Sequence, residues 1–468
     1  MGRNKKLPII ENLKIIDIAA EGKAIGKIDD IVVFVPQLIP GDVADIQIRK
    51  KRKNYLEGRL LKLKKKSPLR TDPICSHFGI CGGCKWQHLP YEKQLYYKQK
   101  QVSDNLQRIG KVDLPEIRPI AGSERTQYYR NKLEFTFSET RWLSDEEVKS
   151  DKDIQERRAL GFHISGRFDR ILDIEQCKLQ NDLSNNIRNS IRNFTLKEDY
   201  SYYNQKYNTG LLRNLIIRNT ESGQWMVILV FREDEKKQIK KLMKYVSKEF
   251  PELDSLLYII NSKLNDTFYD LDFVCYQGKD HIIEELDGLQ FKIGPKSFFQ
   301  TNTLQAAELY RNVLDFASPK KTDLIFDLYT GTGTIALFLA RYCKQVIGIE
   351  YVKEAIDDAV VNADINNIKN AQFFFGDIND ILTSALIKEY SEPDIIVTDP
   401  PRAGMHAGVI QKLIKIAPKK IVYISCNPAT QARDIHLLKD DYKVKAIQPV
   451  DMFPHTHHVE NVVLLDRN

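Results

Sequence analysis

Three absences in this 468-residue chain each close off a class of protein. No stretch of about 18 consecutive apolar residues occurs, so no membrane-spanning helix is expected. The opening Met1-Gly2-Arg3-Asn4-Lys5-Lys6 has no apolar core of the kind that directs export, which points to a soluble, cytoplasmic protein. Cysteines number seven, an odd count with no sign of export beside it, so a disulfide framework is not expected. Internal repeats and long low-complexity linkers are also missing. The length allows two to four domains with a large buried core.

What is present is concentrated toward the C-terminus. Asp323-Leu324-Ile325-Phe326-Asp327-Leu328 reads as a buried strand. It leads into Tyr329-Thr330-Gly331-Thr332-Gly333-Thr334, an apolar helix from Ile335 to Tyr342, and a second strand from Gln345 to Glu350. Glycines at a strand-to-helix turn let a ligand approach the backbone closely. Glu350 stands 19 residues after Gly331, where a carboxylate can accept bonds from both ribose hydroxyls. The loop is not Gly-x-Gly-x-x-Gly, which favours a nucleoside cofactor over a dinucleotide and argues against an NAD-linked oxidoreductase. Further strands end at Asp377, at Asp399 (before Pro400-Pro401-Arg402) and at Ser425-Cys426, with helical patterns over Val352 to Asn366 and Ala407 to Lys415 between them. This alternation predicts an α/β, doubly wound sheet. Ligands gather at the carboxyl ends of such strands, so the Cys426 thiol, followed by the turn-forming Asn427-Pro428, stands where a nucleophile would.

Upstream, Cys75-x5-Cys81-Gly82-Gly83-Cys84 sets three thiols on one short loop, one ligand short of a tetrahedral set. Cys275 and Cys343 lie in apolar segments and read as core residues. Cys177, outside an obvious core pattern, is the natural fourth ligand. The residues alone allow zinc, with His77 or His88 competing as ligands. His455, His457 and His458 have no Cys or acidic partner at ligand spacing, so no metal is expected there. The first 70 residues hold 17 Lys and Arg against 8 Asp and Glu, a net of +9, while the whole chain is +7, so the remainder nets −2. Short apolar runs over Leu13 to Ile18, Ile31 to Val35, Val43 to Ile48 and Leu56 to Leu61 predict a small antiparallel barrel of roughly five strands. Basic clusters at Arg49 to Lys53 and Lys62 to Lys66 suit a phosphate-reading surface. Between about residues 115 and 295 a mixed α/β insertion is expected, with strand-like alternation over Tyr128 to Phe135, Leu160 to Phe162, Asn214 to Arg218 and Met226 to Phe231. Glu139 to Arg158 reads as a charged, exposed loop or helix.

Gly-x-Gly after a strand, Asp399-Pro400-Pro401-Arg402-Ala403-Gly404, Ser425-Cys426-Asn427-Pro428-Ala429-Thr430 and Phe453-Pro454-His455-Thr456-x-His458-Val459-Glu460 occur in that order. With Ser297-Phe298-Phe299-Gln300-Thr301-Asn302 before the sheet, they resemble the RNA uracil-5-methyltransferases that use S-adenosylmethionine. The resemblance covers roughly residues 295 to 468. The N-terminal segment is similar to a TRAM domain, an OB-like RNA-binding barrel, through Gly22 to Lys27 and Leu38 to Asp42. The implied architecture is a Rossmann-like class I methyltransferase sheet (296–468) behind an OB-like barrel (1–66), with a central α+β region (67–295) that carries a metal cluster.

By the same resemblance, Gln300, Tyr329, Glu350, Asp377 and Asp399 contact S-adenosylmethionine, Cys426 is the nucleophile and Glu460 a general base. Cys75, Cys81, Cys84 and Cys177 bind a [4Fe–4S] cluster, and Tyr128 to Lys132 touches RNA. Carbon 5 of uracil is too weakly nucleophilic to take a methyl group directly. A thiolate adding at carbon 6 makes it an enolate carbon, and Asp399 can bond the ring edge. A carboxylate must later remove the carbon 5 proton. The implied substrate is 23S ribosomal RNA, acted on by a monomer, with the T-loop uridine of tRNA as the alternative. Retention of Cys426, Asp399 and Glu460 together argues against an inactive RNA-binding assembly factor.

Overall fold

The computed structural model describes residues 7–150, 154–167, 169–268 and 270–468. The Met1-to-Lys6 run and residues 151–153 of the charged Glu139-to-Arg158 segment lie outside the described residues.

Strands β1 (Ile9–Ile18), β2 (Ala24–Ile28), β3 (Ile31–Val35), β4 (Val43–Lys51) and β5 (Tyr55–Lys65) close a barrel in the order β1-β2-β3-β5-β4. Period-two alternation turns Leu13, Ile15, Val33, Val35, Ile46 and Ile48 inward, which is what a half-buried pleated strand requires. The barrel is not wholly antiparallel, because β3 and β5 pair in parallel. β4 and β5 also run further than their apolar stretches, with Lys50 opposite Glu57 and Lys51 opposite Leu56, so most of both basic clusters is strand. Asp42, fully buried, ties the barrel to the segment after β5: it accepts from the Ser67 N–H at 2.9 Å and from Arg70 at 2.6 Å. The β1–β2 loop meets the rest of the molecule at Gly22. A Cβ there would stand 3.0 Å from Trp86 Nε1 and 3.1 Å from His457 Cβ, and the residue has a φ of +72°. Glycine satisfies both demands.

Helix α1 (Tyr91–Asn105) leads into the central unit of β6 (Lys132–Ser138), α2 (Asp145–Lys149), β7 (Ala159–His163), β8 (Ile171–Asp173), α3 (Asp182–Lys197), β9 (Leu212–Asn219), β10 (Trp225–Phe231), α4 (Lys236–Glu249), β11 (Ser255–Ile260) and β12 (Val274–Gly278). Its sheet runs β12-β11-β10-β9-β6-β7-β8, antiparallel except where the α4 crossover makes β10 and β11 parallel. Ile187 and Ile191 of α3 and Leu242 and Val246 of α4 pack on one face. The other face, through Ile216, Met226 and Ile228, shares a core with the hairpin β13 (Ile282–Leu286) and β14 (Leu289–Ile293). Two expectations fail here. β6 begins only at Lys132, because Tyr128 has a φ of +55° and leaves the extended region. Cys275 is exposed rather than core, since β12 is the outer edge strand and has no sheet beyond it.

The C-terminal unit consists of α5 (Thr303–Ala317), β15 (Leu324–Leu328), α6 (Thr334–Ala340), β16 (Gln345–Glu350), α7 (Lys353–Ile365), β17 (Ala371–Phe375), α8 (Ile378–Ile381), α9 (Ser384–Tyr390), β18 (Ile395–Thr398), α10 (Ala407–Ile416), β19 (Lys420–Ser425), α11 (Pro428–Leu438), β20 (Tyr442–Val450) and β21 (Glu460–Arg467). The sheet order is β17-β16-β15-β18-β19-β21-β20, five parallel strands closed by an antiparallel pair. Strand order reverses between β15 and β18, the switch point where open α/β sheets bind ligands. Val102 of α1 and Leu106, just after it, enter the core on the α11 face. Residues 118–121 cover the outer edge of β20, with Arg118 N–H donating to the Ile447 carbonyl at 3.1 Å and Ala121 N–H to the Pro449 carbonyl at 2.9 Å. Among the described residues, no helix is long and apolar enough to cross a membrane.

Candidate active site at the strand ends

The loop after β15 is shaped by left-handed residues: Tyr329 (φ 64°), Gly331 (55°) and Gly333 (79°). Asp327, buried at the end of the strand, accepts from Thr330 Oγ1 at 2.6 Å and fixes the turn from below. Glu350 at the end of β16 bridges two loops. Its carboxylate accepts from the N–H of Gly331 at 3.1 Å, of Tyr351 at 2.9 Å and of Val352 at 3.0 Å. Asp377 caps α8 through the Asn379 N–H at 2.7 Å. The Tyr329 hydroxyl is pushed up to about 12, first by burial and then by the negative charges of Asp377, Asp434 and Glu350. Tyr329, Glu350 and Asp377 therefore share one neighbourhood. The Thr332 hydroxyl donates to the Phe298 carbonyl at 3.3 Å and so holds the segment carrying Gln300 beside the same loop.

Asp399 comes directly after β18 and Cys426 directly after β19. Glu460 joins them because β21 runs antiparallel to β19, pairing Asn461 with Ser425, so that its first residue stands at the carboxyl edge of the parallel strands. Glu460 is almost fully buried and its carboxyl is raised to about 8, by burial first, then by Asp399, with Arg402 opposing. Asp399, desolvated by its neighbours, is raised to about 7. The Cys426 thiol is raised to about 11 by burial, then by Glu460 and Asp399, while Arg402 bonds it and pulls the other way. Sequence reasoning gave Arg402 and Asp327 no role, although each stands inside a strand-end motif. It also missed Tyr310 of α5, buried with its hydroxyl 3.0 Å from Thr334 Oγ1, whose acidity is further weakened by Asp399, Asp327 and Glu460. Tyr310 thus sits between the Gly-rich loop and the carboxyl pair.

The four upstream cysteines come together across a long stretch of chain. Cys75, Cys81, Cys84 and Cys177 line a cavity of about 560 Å3, with Thr456 and His458 on its wall. The Gly82 N–H donates to the His163 carbonyl at 3.0 Å, and the Cys177 N–H to Asn185 Oδ1 at 2.8 Å, so backbone bonds hold both loops. Burial, then mutual repulsion with the other thiols, raises Cys177 to about 11, and burial raises Cys84 to about 12. Among the described residues, no three His, Cys, Asp or Glu side chains are grouped closely enough to hold a single metal ion. His77 lines the cavity but its Nε2 accepts the Glu175 N–H at 3.0 Å, and His88 is buried against Phe78. Of the two, His77 stands on the cavity wall and His88 is not among the lining residues.

A doubly wound sheet with a nucleoside-sized turn at its switch point and a thiol two strands away is the framework of a class I methyltransferase. A family model described as tRNA (Uracil-5-)-methyltransferase matches residues 220–468, and a TRAM domain matches residues 10–61. An uncharacterized RNA methyltransferase of Bacteroides thetaiotaomicron is 57% identical over 452 residues, covering 96% of this chain and 100% of that one. One from Porphyromonas gingivalis is 51% identical over 97% of this chain and 100% of its own length. The crystal structure of Pyrococcus abyssi tRNA (uracil-54, C5)-methyltransferase in complex with S-adenosyl-L-homocysteine superposes with a TM-score of 0.75 at 29% identity, covering 97% of this chain and 100% of that one. The chain belongs to the tRNA (uracil-5-)-methyltransferase family and is an S-adenosylmethionine-dependent RNA methyltransferase.

Proposed function

We propose that this enzyme methylates carbon 5 of a specific uridine in 23S ribosomal RNA through a covalent Cys426–uracil intermediate. The observation that carries this reading is the meeting of Cys426, Glu460, Asp399 and Arg402 beside the Gly-rich loop. S-adenosylmethionine, held by Gln300, Tyr329, Glu350, Asp377 and Asp399, supplies the methyl group. The Cys426 thiol gives its proton to solvent and its sulfur bonds carbon 6, which moves electron density onto carbon 5 and oxygen 4. Arg402 favours the thiolate for this step. Carbon 5 then takes the sulfonium methyl as its carbon–sulfur bond breaks, and S-adenosylhomocysteine leaves. Asp399, poised near neutrality, can donate as well as accept at the uracil edge. Once carbon 5 carries the methyl group, Glu460 takes its remaining proton, the sulfur–carbon bond breaks and the Cys426 thiolate leaves. A base near 8 suits this step at physiological pH. Residues 1–66 serve as the RNA grip, 67–295 as the cysteine-bearing support and 296–468 as the catalytic sheet.

A barrel combined with a four-cysteine set supports ribosomal RNA. The second reading, the T-loop uridine of tRNA, is favoured by the archaeal tRNA enzyme that superposes along nearly the whole chain. Mapping 5-methyluridine in total RNA from a strain lacking this gene decides between them. Loss from 23S RNA upholds the first, loss from tRNA the second, and no loss overturns both.

The donor set, four thiols lining one cavity, is the kind a [4Fe–4S] cluster takes. Bound there, the cluster would tie the 75–84 loop to Cys177 and support the fold. Protein purified without oxygen should be brown, with about four irons per chain. One zinc with no iron or sulfide would overturn the assignment.

A further inference from the structure

Helix α1 sets Tyr91, Gln94 and Lys98 at spacings of three and four residues on one buried face, and each reaches the loop between β20 and β21. Lys98 and Asp451 are completely enclosed, with Nζ 2.5 Å from Oδ1, and Lys98 also donates to the Phe453 carbonyl at 3.1 Å. The Tyr91 hydroxyl donates to Asp451 Oδ2 at 2.9 Å, and the Phe453 N–H to Oδ1 at 3.0 Å. Gln94 Oε1 accepts the His455 N–H at 2.8 Å, while its amide donates to the carbonyls of Trp86 and Leu89. The His455 carbonyl accepts from the N–H of Lys85 and Trp86 at 2.8 and 3.0 Å. His455 needs this grip from both sides, since its φ of 66° is a strained conformation for a residue with a side chain. From the opposite direction, Gln305 and Asn302, just past Gln300, donate to the carbonyls of Asp451 and Met452 at 2.8 and 2.9 Å.

A buried ion pair adds little stability over an apolar pair of the same shape, so stability alone does not account for this one. Its location does: Asp451 is the residue at which the chain leaves β20, and Val450 is paired directly with Glu460. We propose that Lys98 and Asp451, assisted by Gln94, are positioning residues that fix the foot of the β20–β21 loop and so hold the Glu460 carboxylate at the reacting centre. This rests on the reading of Glu460 as the base that removes the carbon 5 proton.

The test is a single-turnover assay on the RNA fragment identified by mapping, following the denaturant-resistant protein–RNA adduct in time. Lys98→Met removes the charge and both donors. The double variant Lys98→Met/Asp451→Asn buries no unpaired charge and serves if the single variant does not fold. In either variant the adduct should form at near the parent rate but decay about tenfold or more slowly, the mark of a displaced base. S-adenosylmethionine affinity should match the parent. Formation and decay slowed alike, unchanged decay, or failure of both variants to fold would overturn the proposal and leave the pair a plain stability element. Glu460→Gln in the same assay separates the two readings. A persistent adduct there, with normal decay in the Lys98 variants, sinks the positioning role alone. Normal decay in Glu460→Gln sinks the base assignment itself.

Discussion

The strand-end site and the cysteine cavity meet the same physical problem and leave it unsolved in different ways. Both gather acidic groups where water is scarce, and in both burial is the first cause that lifts their protonation constants. At the strand ends, Arg402 partly offsets the cost, and the methyl donor brings a positively charged sulfonium. In the cavity, the thiols raise one another. On the reading proposed above, a bound cluster would supply the opposing charge there and keep it, whereas at the strand ends that charge comes and goes with the methyl donor.

Four experiments put this contrast at risk. The thiol should show the greatest change: Cys426→Ala should abolish methylation and every covalent link to RNA, whereas Glu460→Gln should add and methylate but stall, leaving a methylated adduct on denaturing gels. Normal turnover by Glu460→Gln without adduct would move the proton to another group. Next, Glu350→Ala should weaken S-adenosylmethionine binding by about 1.5–3 kcal/mol, the range for a lost charge-assisted hydrogen bond, as read by calorimetry. It also frees three loop amides, so its melting temperature should be recorded alongside. Third, Cys84→Ala should lower the melting temperature of protein prepared without oxygen while leaving that affinity at the parent value. An equal loss of both would make the two regions one cooperative site. The most gradual change is a pH trend. Glu460 has a folded constant near 8 against an ordinary 4.5, so its contribution to stability is whole below about pH 4.5 and lost as pH rises toward 8. The melting temperature of Glu460→Gln should match the parent near pH 4 and gain on it steadily up to about pH 8.

Much of this site was legible because each part announced itself locally. Glu350, Asp399 and Cys426 each close an apolar run, and a run that ends at a polar residue marks both a strand and its exit. Glu460 was reached through the motif around it, but why it lies beside Cys426 was not, since only the antiparallel return of β21 brings it there. Cys275 misled because apolar neighbours look alike in the middle of a sheet and at its edge. Tyr91, Gln94 and Lys98 were invisible for the opposite reason: Tyr91-Glu92-Lys93-Gln94-Leu95-Tyr96-Tyr97-Lys98 reads as a solvated helix, and nothing local says that its polar stripe faces a buried loop. Arg402 needed the partner thiol, 24 residues away, before its charge had a meaning.

The joint at Gly22 has a consequence for target choice. Because the barrel loop is seated against Trp86 and beside His457, the barrel is joined to the rest of the chain by direct contact as well as by the segment after β5. An RNA whose phosphates lie along the basic strands would present its base at a fixed offset from them. On the reading proposed above, in which the basic strands grip the RNA, selection would act by measure as well as by letter: a uridine at the wrong distance from the grip would be passed over.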